Sequence, residues 1–128
     1  MSGELGFEMD RREGFVRVYG TGMWTPEQAS VHFVKLRQAI QGLRAIRQPA
    51  LVLVDLSRAA VQTAEVAEAV SHGTTMIYRD ADFVSLVTPS ALLALQMKRA
   101  AKVPNLAVFG EIGPALDWLA ARRAEMRV

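Results

Sequence analysis

Ala50-Leu51-Val52-Leu53-Val54-Asp55-Leu56 is the stretch that decides the architecture. Side chains alternate between faces along a strand, so Leu51 and Leu53 fall on one face and Val52, Val54 and Leu56 on the other. A strand apolar on both faces is covered on both, which marks a central parallel strand and not a surface one. Upstream, Pro49 closes a helical pattern. Ala29, Phe33, Leu36, Ile40 and Leu43 recur at spacings of three and four, with Lys35, Arg37, Arg44 and Arg47 mostly off that stripe. Its start is signalled by Thr25-Pro26-Glu27-Gln28, a capping box with Thr25 at N-cap, Pro26 at N1 and Gln28 at N3, and Trp24 is placed to staple against Ala29.

Further upstream, Leu5, Phe7 and Met9 alternate with Gly6, Glu8 and Asp10, the pattern of a half-buried edge strand. Asp10 to Gly14 reads as a turn in which Gly14 takes a positive φ, and Phe15 to Tyr19 resumes the strand pattern, making an antiparallel hairpin ended by Gly20-Thr21-Gly22. Downstream of the central strand, a second helix is expected from Ala64 to about Tyr78, behind a Thr63 N-cap and with Val66, Val70 and Ile77 inward. Gly73, Thr74 and Thr75 make it intrinsically weak, the element best suited to act as a mobile lid. Phe83 to Val87 is a buried strand. Thr88-Pro89 reads as N-cap and N1 of a third helix reaching about Lys102. Leu106 to Phe109 is the last strand, and Gly113-Pro114 opens a last helix with Leu116, Trp118, Leu119 and Met126, its C-terminal end carrying Arg122, Arg123 and Arg127. The order ββαβαβαβα predicts one α/β domain over residues 1–128, with right-handed crossovers and a mostly parallel sheet bearing one antiparallel edge.

Composition agrees with a single soluble globular domain: of 128 residues, 51% are hydrophobic and 22% charged. Folding a chain of this size hides roughly 65–70% of its surface, enough for a core without disulfides or a structural metal. The absence of cysteine excludes a thiol nucleophile and a zinc knuckle. A net charge of +2 is too small to mark a polyanion-binding surface. Lys98, Arg99 and Lys102 lack interleaved aromatics and read as a solvated helix face, so nucleic acid is not expected as a partner. The acidic N-terminus lacks the bases of a targeting peptide, and no uncharged apolar run approaches the roughly 18 residues of a membrane span, leaving only peripheral membrane contact. A cytoplasmic location is expected.

Chemistry-bearing motifs are sparse. Gly20-Thr21-Gly22 opens like a dinucleotide fingerprint, but Thr25 stands where the third glycine belongs. His32 and His72 lack metal-ligand spacing, Ser57 lacks a nucleophile elbow, and Asp80 and Asp82 read as turn-capping or solvated carboxylates. No acid, base and nucleophile set can be named, and no cofactor or metal site; the expectation is a non-enzymatic protein. The third helix is anomalous. At 100° per residue its Leu92, Leu93, Leu95, Met97, Ala100 and Val103 spread over about 200°, wider than one sheet contact needs.

Gly20 followed by Trp24-Thr25-Pro26-Glu27, Leu53-Val54-Asp55 at the end of the central strand, and Ala115-Leu116-Asp117-Trp118-Leu119 in the last helix together resemble the STAS superfamily. The likeness is greatest to its SpoIIAA-like proteins, whose fold is also similar to CRAL-TRIO lipid-binding domains. The resemblance implies sequentially ordered strands with helices mainly on one side. STAS antagonists of anti-sigma factors carry a phosphorylatable serine after the central strand. Here Asp55-Leu56-Ser57 matches the opening of that stretch, but Ala64 and Glu65 replace the serines, leaving Thr63 as the nearby hydroxyl. Two expectations follow. The first is a module binding an apolar or amphipathic, lipid-like ligand between the second and third helices, lined by Val66, Val70, Leu92, Leu93 and Met97. The second is a STAS-like regulator meeting a protein partner around Ser57, Thr63 and Glu65. Helices on one side would leave one apolar face of the central strand bare, so a homodimer is expected to cover it.

Overall fold

The computed structural model describes residues 3–10, 15–46 and 48–126. Its elements run β1 (Glu4–Asp10), β2 (Phe15–Gly22), α1 (Pro26–Ala45), β3 (Leu51–Ala59), α2 (Ala64–Ile77), β4 (Phe83–Val87), α3 (Ala91–Ala100), β5 (Leu106–Phe109) and α4 (Ile112–Met126). This is the expected order. The turn over 11–14, with the positive φ expected of Gly14, lies outside the described residues, as do Arg47 and Arg127. Strands pair in chain order, β1-β2-β3-β4-β5. β1 is antiparallel to β2, from Glu4 opposite Thr21 to Asp10 opposite Phe15, and the other pairs are parallel.

β3 is central and covered on both faces. Val16, Val18, Val52 and Val84 meet Leu36 and Ile40 of α1 on one face, where Leu56 and Leu86 also meet Val66 and Val70 of α2 and Leu93 of α3. On the other face Leu51, Leu53 and Val87 pack against Ala115 and Leu119 of α4. The Trp118 ring meets Phe83 edge-on at 5.9 Å. The face for which the sequence predicts a second copy as cover is covered by α4 of the same chain, because the last helix crosses to the side opposite the other three.

Element ends follow capping chemistry. The Thr25 hydroxyl accepts from the Gln28 amide at 3.1 Å, and the Gln28 side chain accepts from the Thr25 amide at 2.9 Å, completing the expected box. α3 departs from expectation: its N-cap is Ser90, whose hydroxyl accepts from Leu93 N at 3.1 Å, and the helix ends at Ala100. Thr88 is instead taken up in a turn, accepting from Ser90 N at 3.2 Å. β2 extends beyond Tyr19 through Gly22, with a register shift against β3 between Tyr19 and Thr21. A methyl at Gly20 would fall on the Trp24 indole and on Leu56, so glycine there admits the indole across the strand. That indole N–H donates to the carbonyls of Glu4 and Thr21 at 3.0 and 3.2 Å. Gly22 takes φ 62°.

Asp82, expected at a turn or in solvent, is completely buried in a turn. Its carboxylate accepts from both terminal nitrogens of Arg44, at 3.1 and 2.6 Å, and from the amides of Ala50 and Arg79, each at 2.8 Å. Arg44 also donates to the Ile77 carbonyl at 2.8 Å, so one ion pair gathers α1, α2, the start of β3 and the entry to β4. Among the described residues no helix is long and apolar enough to cross a membrane.

Candidate functional site

Between the sheet and the three helices on its first face lies an apolar cavity of about 70 Å³. β3 and β4 supply its floor through Val54, Leu56, Val84 and Leu86, and α1, α2 and the end of α3 close it through His32, Phe33, Val70, Thr74 and Met97. The site exists because these helices reach the sheet with side chains of unequal length: α2 brings Val70, Gly73 and Thr74 where α1 brings Phe33 and Leu36.

His32 is the chemically distinctive wall. It is only 5% exposed, lies edge-on to the Phe33 ring at 5.0 Å and the Phe7 ring at 6.0 Å, and makes no hydrogen bond among the described residues. Burial pushes its imidazole down to about 4, so the ring is neutral near pH 7. The signal for its burial was present in the sequence. His32 stands three residues after Ala29 and four before Leu36, on the stripe drawn through Phe33, which is only half-buried. Thr74, also buried, is fully used: its hydroxyl donates to the Val70 carbonyl at 2.7 Å and accepts from Lys102 N at 2.8 Å. Burial, aided by the charge of Asp82 and opposed by Arg44, pushes the Tyr78 phenol well above its usual range.

The five residues expected to line one ligand site do not share one. Val70 and Met97 lie on the cavity. Val66 and Leu93 are fully buried core beside it, and Leu92 is 71% exposed. Leu92 belongs to an open groove of about 400 Å³ on the outer side of α2 and α3, with Leu95, Ala64, Ala67, Glu68 and Arg99. The wide apolar arc of α3 is thus divided. Its inner part is core, and its outer part faces a groove floored by alanines.

The second expected surface lies at the carboxyl end of β3. Ser57 donates through its amide and hydroxyl to Asp55 Oδ1, at 3.0 and 2.7 Å. Thr63 is the N-cap of α2, accepting from Val66 N at 3.2 Å, and Glu65 is exposed in the first turn. The buried residue at this end is Gln62, which periodicity did not single out. Its side chain accepts from Trp24 N at 2.8 Å and donates to the carbonyls of Gly22 and Ala60. Its backbone exchanges two 2.8 Å hydrogen bonds with the Gln96 side chain of α3. A loop glutamine carries no local signature of such a role, since its partners lie in other elements. His72 is exposed, and among the described residues no group of three or more His, Cys, Asp or Glu is placed to hold a metal ion. Lys98, Arg99 and Lys102 are exposed, whereas Arg122 lies over the Trp118 ring at 5.4 Å and Arg123 over Phe15 at 5.7 Å.

No family model matches the chain, and no curated protein does. Among solved structures it is similar to an uncharacterized protein of the DUF3478 family with a SpoIIAA-like fold from Shewanella loihica PV-4. The TM-score is 0.60 at 17% identity, over 92% of this chain and 93% of that one. The strand order, the single antiparallel pair and this match over nearly the full length of both chains together identify the architecture as a SpoIIAA-like fold.

Proposed function

We propose that this chain is a non-enzymatic cytoplasmic binding domain whose ligand is a small apolar or amphipathic molecule held between the sheet and α1, α2 and α3. What supports this is the cavity, whose lining is almost wholly apolar. Its size limits the guest. An apolar cavity of about 150 Å³ takes benzene, so a space of about 70 Å³ suits something smaller, and a long-chain lipid requires α2 to lift. Native mass spectrometry of the purified protein, with thermal shifts against a graded series of short-chain amphiphiles, tests the proposal. Stabilisation peaking at short chain length is expected; no copurified ligand and unchanged melting temperatures across the series overturn it.

The exposed Leu92 and Leu95 favour a second reading, a STAS-like interaction module that uses the groove between α2 and α3 to meet a regulatory protein or a second copy of the chain. Thr63 and Glu65 flank Ala64 at its margin. Light scattering at micromolar concentration tests the self-association form: a dimer that becomes monomeric on Leu92→Glu supports it, and a wild-type monomer overturns it.

A further inference from the structure

The groove on the outer side of α2 and α3 has two unlike rims. α2 contributes Ala64, Ala67 and Glu68, and α3 contributes Leu92, Leu95 and Arg99. Small side chains and an acid thus stand opposite large apolar ones and a base. The division holds along both helices: α2 carries Glu65 and Glu68 with no lysine or arginine, and α3 carries Lys98 and Arg99 with no acid. Two hydrogen bonds set the level of one helix against the other. The Gln62 amide donates to the Gln96 side chain and the Lys102 amide to the Thr74 hydroxyl, each at 2.8 Å. Glu68 lies midway between Gln62 and Thr74, and Arg99 midway between Gln96 and Lys102, so the two stand at the same level. Both are exposed, and among the described residues neither side chain forms an ion pair.

Resting on the reading of this groove as an interaction surface, we propose that its occupant is a second copy of the chain, related by a two-fold axis along the groove, with Glu68 of each copy facing Arg99 of the other. α2 and α3 each return between parallel strands and so run the same way. A two-fold axis lying in the interface along them keeps each residue's level and exchanges the rims, which sets α2 against α3 of the other copy. Leu92 and Leu95 then cover the alanine rim of the other copy, and two ion pairs form. An axis across the groove would instead set α2 against α2, acid against acid, and α3 against α3, base against base. Charge complementarity therefore selects the first arrangement.

The test measures the dimer dissociation constant of the full chain by analytical ultracentrifugation, with circular dichroism checking that each variant folds. Glu68→Arg and Arg99→Glu each set like charges opposite one another at both contacts, and each is expected to weaken the wild-type dimer about tenfold at low salt. Mixing the two variants restores unlike charges at both contacts, and a heterodimer as tight as the wild-type dimer is expected. Charge reversals that leave the dimer unchanged, or weaken it without rescue in the mixture, overturn this pairing; the groove remains a self-association surface if Leu92→Glu still dissociates the dimer. A dimer indifferent to all of these substitutions overturns both the pairing and the groove. A wild-type monomer at micromolar concentration also overturns self-association and leaves the groove to a partner of another sequence.

Discussion

Gly73 of α2 faces Phe33 of α1 so closely that a methyl on its α-carbon would fall on the phenyl ring. The residue that makes α2 look weak in sequence is thus the one that lets the two helices close over the cavity. Gly73→Ala gains about 1 kcal/mol in helix propensity but forces a ring that contacts His32 to move, an overpacking cost of roughly 1–3 kcal/mol. A net loss of stability in urea melts is expected, restored by adding Phe33→Leu. A gain like that of an exposed helical glycine would show that the contact is loose.

The same contact bears on α2 as a lid. Thr74 anchors the helix to Lys102 and to its own preceding turn. Amides from Ser71 to Ile77 are therefore expected to exchange more slowly than those of an exposed helix of the same composition. Exchange as fast as at the chain ends, slowed by a bound amphiphile, would restore the lid.

Arg44 and Asp82 make the second testable contact. Burial alone would raise the Asp82 carboxyl, but the hydrogen bonds from Arg44, Ala50 and Arg79 outweigh it and hold it below the usual carboxylate range. Its contribution to stability is therefore complete above the unfolded value of about 3.9 and is lost as pH falls through the lower folded value. Asp82→Ala leaves a guanidinium and two amides without their acceptor, and a loss of roughly 3–5 kcal/mol in chemical denaturation is expected. A loss below about 1 kcal/mol would mean that water replaces the carboxylate.

His32 gives a separate window. In the unfolded chain it binds a proton near 6.5, in the fold only at about 4, so between these values the unfolded state holds more protons and stability rises with pH. The full contribution is present above 6.5, and about 3 kcal/mol is lost by pH 4. His32→Leu should flatten the stability profile between pH 6.5 and 4 and leave the acid limb of Asp82 in place. An unchanged slope would assign the titration to another group.

Ser85 lies fully buried on the β4 face under α4, paired in register with Leu53 and Ala107, and its hydroxyl has no hydrogen-bond partner among the described residues. Ser85→Ala removes an unsatisfied group without leaving a large cavity. It should be neutral or stabilise the fold by about 1 kcal/mol in thermal melts. A clear destabilisation would reveal a partner for that hydroxyl.

Much of the frame is local and was legible in the sequence alone. The two-sided apolar run from Ala50 to Leu56 placed β3 at the centre, the Leu5-Phe7-Met9 alternation placed β1 at the edge, and Thr25 and Thr63 marked the starts of α1 and α2. These signals act between residues at most four apart, through strand alternation, helix periodicity and capping. Tertiary structure alone decided the rest. Gly73 is a packing device because Phe33 lies against it, and Asp82 is buried because Arg44 reaches it across 38 residues of sequence. Leu92 faces solvent while Leu93 is core, and α4 covers the face that a second copy was expected to cover. His32 lies on a cavity because α2 comes in with small side chains. In each case the environment is made by an element distant in the chain, and no pattern within a few residues encodes which elements will meet.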